Sequence, residues 1–139
     1  FQKDVAVLAF PAENRLPGHD FIFRLDPPGL HELDHAVLHN TESGEPEKYG
    51  DLHLFTKDFS IAVSTGGPEN DAFREVLRAT LEPGVQPQRF ELRAEKARCV
   101  RLRILSGHNA RFDRIQLGEF ELFNKDGRGL FAGQAFILF

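Results

Sequence analysis

The sequence predicts an all-β chain folded as an antiparallel β-sandwich, a jelly roll of about eight strands. Phe59, Ile61 and Val63 alternate with Ser60, Ala62 and Ser64, and Val100, Leu102 and Ile104 alternate with Arg101 and Arg103. A period of two sends alternate side chains to opposite faces of a strand, as a half-buried sheet requires. Clusters of Pro, Gly, Asn and Asp interrupt such runs at short intervals, which is the punctuation of turns between strands.

The runs Val5 to Phe10, Phe21 to Leu25, Leu33 to Asn40, Gln88 to Arg93, Ile115 to Phe123 and Leu130 to Leu138 read as further strands. Within Ile115 to Phe123 the apolar parity switches from Ile115 and Leu117 to Phe120 and Leu122, so a bulge is expected at Gly118. Arg101 and Arg103 should face solvent or a charged neighbour. The segment 71–81 fits two patterns. Asn70 or Asp71 could cap a helix bearing Phe73, Val76, Leu77 and Leu81 on one side, while Phe73, Leu77, Ala79 and Leu81 also fit a strand.

With 139 residues and 41% hydrophobic residues, the chain can fill one core, so residues 1–139 read as a single domain. A net charge of −4 lacks the basic footprint of a nucleic-acid binder. No apolar run approaches the roughly 20 residues that cross a bilayer. The chain contains no methionine, and it therefore reads as a module cut from a larger protein. Cys99 is the only cysteine, so no internal disulfide forms, and its place in a strand-like run makes it a small buried apolar residue.

The stretch from Lys57 to Thr65, then Phe73, Gln88-Arg89-Phe90, Ala97 to Leu102 and Leu117 to Phe123, resembles the discoidin, or coagulation factor 5/8 type C, domain in residues, order and spacing. The opening Lys3 to Pro11 is similar to a strand of accessory β-domains in bacterial glycoside hydrolases of the α-L-rhamnosidase type. The chain departs from the discoidin pattern in lacking the Asp-Gly turn that leads to a Trp, and it has no Trp at all. The resemblance implies a galactose-binding-like sandwich that recognises carbohydrate without catalysing a reaction. It also implies a catalytic glycoside hydrolase domain in the same parent chain and an extracytoplasmic location. A second reading makes the sandwich a buttress for that catalytic domain, binding nothing itself, with an apolar patch on one sheet covered by the neighbour; the apolar tail Ala135 to Phe139 is compatible with it.

In that family, loops at one end of the sandwich hold the ligand, in keeping with function carried on loops of a rigid scaffold. Two loops of this chain correspond. The first offers His39, Asn40, Glu42 and Tyr49; the second offers His108, Asn109, Arg111 and Phe112. Amides, imidazoles, a carboxylate and a guanidinium suit a hydroxyl-rich ligand, and Tyr49 or Phe112 supplies a stacking face. These loops carry no Leu, Met or Trp spike, which disfavours a membrane partner.

The resemblance further implies a structural calcium with Glu119 at a ligand position. Calcium takes six to eight oxygens, so Asp20 or Asp26 would have to join it. Zinc is not indicated by spacing, because His31, His35, His39 and His53 pair with no cysteine, and His35 and His39 stand about 13 Å apart along a strand. No phosphate loop, nucleophile elbow or recognisable Ser-His-Asp context occurs.

Overall fold

The computed structural model describes residues 8–10, 19–112, 114–130 and 136–138. Among them, ten strands form: β1 (Leu8–Phe10), β2 (His19–Arg24), β3 (His31–His39), β4 (Asp58–Ser64), β5 (Arg74–Thr80), β6 (Gln88–Ala97), β7 (Cys99–Ile104), β8 (Ile115–Leu117), β9 (Glu119–Asn124) and β10 (Phe136–Leu138). One short helix, α1 (Pro46–Tyr49), interrupts the first long loop.

A five-stranded antiparallel sheet in the order β10-β2-β7-β4-β5 faces a three-stranded sheet in the order β6-β3-β9, and β1 pairs with β8 as a separate ribbon. The core lies between the two larger sheets. Phe59, Ile61, Val63, Val100, Leu102 and Ile104 of the five-stranded layer are all buried, as the alternation predicts, and they meet Leu33, Ala36, Leu38 and Leu122 of the other layer. Ring pairs tie the layers together, Phe59 edge-on to Phe90 at 5.0 Å and Phe23 against Phe120 at 5.3 Å. Such geometry adds to simple area burial.

Three details depart from the sequence reading. First, segment 71–81 resolves as a 3-10 turn (Asn70–Ala72) followed by β5, because Arg74 to Thr80 find backbone partners on β4 that a helix would forgo. Second, Gly118 does not bulge within one strand. It is the break at which the chain leaves β8 and enters β9 in another sheet, so the inward parity resets. A Cβ at Gly118 would meet Thr41 Cβ at 3.0 Å and the carbonyls of His39 and Asn40 at 3.3 Å, a tight fit that favours glycine at this approach. Third, Ser60, Ala62 and Ser64 are buried as well, since β4 lies between β7 and β5 with its outer face also covered.

Arg103 grips Asp20 of β2 with both guanidinium arms, Nη2 at 2.8 Å, which raises its pKa further. Arg101 is buried instead and lies over the Phe73 ring at 5.2 Å; burial lowers its pKa. Cys99 is buried, and burial pushes its thiol up, away from reactive thiolate. The strand expected at 5–10 is described only at 8–10, so most of the accessory-domain segment lies outside the described residues, as do 131–135 and 139 of the carboxyl-terminal run.

Candidate functional site

β3 ends at His39, β5 at Thr80 and β7 at Ile104, while β4 begins at Asp58, β6 at Gln88 and β9 at Glu119; the pairing registers put all these termini at one end of the sandwich. Among the described residues, three loops therefore share that rim: 40–57, 81–87 and 105–112. The first and third are those singled out from sequence. The second was missed there, although Pro83, Gly84 and Pro87 mark it as a turn region. It is closed on itself by Gln88, whose amide accepts from Glu82 N at 2.8 Å and donates to Glu82 O at 3.0 Å.

The rim is assembled by buried polar side chains. Asn40 spans the base of the first loop, its Oδ1 accepting from Thr56 N at 2.8 Å and its Nδ2 donating to Thr56 O at 3.2 Å. Asn109 joins the first and third loops, its Nδ2 donating to Tyr49 O and His53 O, both at 2.8 Å. His53 in turn accepts from Ser43 N through Nδ1, at 3.2 Å. His108 Nε2 donates to Leu81 O at 2.7 Å and so connects the second loop to the third. Asp58 holds the start of the third loop: Thr80 Oγ1 donates to one carboxylate oxygen at 2.6 Å and Ser106 Oγ to the other at 2.8 Å. Those hydrogen bonds, Thr80 foremost, hold its carboxyl below the usual value despite partial burial.

These contacts sort the sequence-selected residues into two kinds. Asn40, His108 and Asn109 are committed to framework bonds, and both asparagines are buried. Tyr49 and Phe112 are brought together, ring edge to ring face, with centroids 4.7 Å apart. Lys48 Nζ sits 5.3 Å from the Tyr49 ring centre and Arg111 Cζ sits 6.0 Å from that of Phe112. Glu42, Lys48 and Arg111 are exposed. The result is a half-open aromatic pair with a cation on either side. Leu52, 41% exposed in the turn that follows, gives this rim an apolar tip that the loops as first delimited lack.

His39 is placed differently. It projects from the last position of β3 on the outer face of the three-stranded sheet, toward Glu119 and Glu121 of β9. Glu119 thus has an imidazole and a second carboxylate beside it. Asp20, one of the two acids considered for a calcium cage, is held by Arg103. Among the described side chains Glu119 is thus grouped with one imidazole nitrogen and one further carboxylate.

A separate groove of about 470 Å³ opens where the edge strands β5 and β6 part, lined by Val76, Leu77, Glu91, Leu92, Arg93 and Glu95.

No family model matches the chain, and no curated protein matches it. Solved structures do. The CBM32 of AlyQ in complex with 4,5-unsaturated mannuronic acid is similar over 96% of this chain and 99% of its own length, at 16% identity and a TM-score of 0.54. CpGH89CBM32-5 from Clostridium perfringens, in complex with GalNAc-beta-1,3-galactose, matches at 17% identity and a TM-score of 0.48. The C-terminal domain of a chitobiase from Bacteroides fragilis matches at 10% identity and 0.47. Each of these last two is similar over 75% of this chain, which spans 60% of their length. The described residues therefore form an antiparallel β-sandwich, the fold in which the chain resembles the CBM32 of AlyQ.

Proposed function

We propose that this chain is a carbohydrate-recognition module that binds sugar at the rim through Tyr49, Phe112, Lys48 and Arg111, without catalysing a reaction. The observation that carries the reading is the Tyr49–Phe112 pair, two rings from loops 63 positions apart held edge to face by the Asn109 staple. A sugar ring offers an apolar C–H face to an aromatic side chain and hydroxyls to the groups around it. Exposed Lys48 and Arg111 add the charge that an acidic sugar would meet. The fold is that of a module crystallised with an unsaturated mannuronic acid, which makes uronic-acid oligosaccharides the first ligands to try.

Such a surface exchanges water contacts for sugar contacts at small net gain, so a single site is expected to bind weakly. Its use would lie in keeping a catalytic glycoside hydrolase domain of the same parent chain close to a polysaccharide, outside the cytoplasm. Titration with galactose, rhamnose and uronic-acid oligosaccharides, together with affinity gels of plant and microbial polysaccharides, tests it. Retention on at least one, lost in Tyr49→Ala and Arg111→Ala variants that melt as the parent does, is the expected result. No retention on any of them, with both variants silent, rejects the proposal.

A further inference from the structure

In the β3·β9 ladder His39 lies directly opposite Glu119, and Val37 lies opposite Glu121. Glu119 and Glu121 are two residues apart on one strand and share a face with His39, one as its direct cross-strand neighbour and one on the diagonal. His39 Nε2 stands 3.5 Å from Glu119 Oε1 and 3.7 Å from Glu121 Oε1. One donor atom from each side chain lies within 4.8 Å of both others. A four-coordinate zinc ion with bonds near 2.1 Å holds its ligand atoms about 3.4 Å apart, so small side-chain rotations would close this set around one ion.

We propose that His39, Glu119 and Glu121 form a binding site for a zinc-type divalent cation on the outer face of the three-stranded sheet, with a further position open to water. The donor set selects the ion. One imidazole and two carboxylates suit zinc and its transition-metal neighbours, whereas calcium calls for a larger cage of oxygens. The three side chains are 27%, 15% and 17% exposed, sheltered enough to fix their geometry and open enough for an ion to enter. Two of the donors are on one strand and the third on its hydrogen-bonded neighbour, so the backbone ladder preorganises the site. It also lies where β3 passes into Asn40 and the rim loop, and where Gly118 N bonds His39 O at 2.9 Å. An ion there would clamp the two strands beneath the rim. The inference is independent of any sugar binding.

The test uses the full chain, freed of metal by chelation and carrying no histidine tag. Titration with zinc should show one ion per chain. At a hundredfold excess over the dissociation constant it should raise Tm by about 5 °C or more, with calcium at the same concentration inactive. Cobalt in place of zinc should give the visible bands of a low-coordinate N/O site, and zinc should shift the ring resonances of His39. Loss of an outer-shell partner alone weakens metal sites by 10- to 100-fold, so Glu121→Gln and His39→Ala should each cost roughly a hundredfold in affinity. The His39 resonances read the same site without substitution should either variant fold poorly. No stoichiometric zinc binding, or binding that leaves the His39 ring untouched and survives both substitutions, overturns the proposal.

Discussion

The base and the tip of the rim are both rich in polar residues, yet they use polarity in opposite ways. At the base, Asn40, Asn109, Thr56, Ser106 and Asp58 have their polar groups turned inward onto backbone or onto one another. At the tip, Lys48, Tyr49, Arg111 and Phe112 stand partly or wholly in solvent, and each contacts another tip residue's ring or its chain neighbour's. A buried amide that satisfies two carbonyls fixes a loop, and an exposed cation beside a ring leaves a surface available. Substitutions at the base should therefore act on stability and on binding together, while substitutions at the tip should act chiefly on binding.

The largest expected effect is at Asn109. Asn109→Asp preserves shape but puts a carboxylate where an amide donates to two carbonyls, leaving Tyr49 O and His53 O facing like charge. The loss is expected to be about 3 kcal/mol, read as a fall in the urea midpoint at constant m and a Tm lower by about 5–10 °C. If Asn109→Asp keeps parental stability, the staple does not hold the loops and the contrast between base and tip fails.

Asn40→Asp comes next. One oxygen still accepts from Thr56 N, and the other faces a single carbonyl, Thr56 O, across the longer contact instead of two, so a smaller loss of about 2 kcal/mol is expected in the same assay. At the tip, alanine at Tyr49 or at Phe112 should cost less than about 1 kcal/mol of stability, with a coupling of about 0.5 kcal/mol between the two rings in a double-mutant cycle. A coupling near zero would mean that the edge-to-face contact is incidental.

The same contrast explains what the sequence made legible. Strands β4 and β7 were evident because apolar alternation is a local signal, and the pairing of the first and third loops followed from the family resemblance. The division of labour within those loops was not legible. Asn40 meets Thr56 sixteen residues on, and Asn109 reaches back 56 and 60 residues. Nothing near either asparagine distinguishes a buried staple from a ligand contact. The same holds for His39: Glu119 and Glu121 are visibly on one strand face, but the histidine joins them only through the β3·β9 register. The spacing of His35 and His39 along the chain carries no information about a neighbour across the ladder.

The smallest expected effect isolates one anchor by pH. The Asp58 carboxyl is held below its ordinary value of 3.8, first by the Thr80 hydroxyl and then by Ser106, against the opposing effect of burial. The folded chain therefore binds this proton less readily than the unfolded chain does. The stabilisation is complete above the ordinary value and is lost as pH falls through 3.8 toward the lower folded value. Asp58→Asn removes this titration while keeping one oxygen for a hydroxyl. The variant should be less stable than the parent at pH 7, and the gap should narrow as acid unfolding is followed below pH ~4. Parallel acid limbs for the two proteins would show that Asp58 does not secure the third loop through its charge.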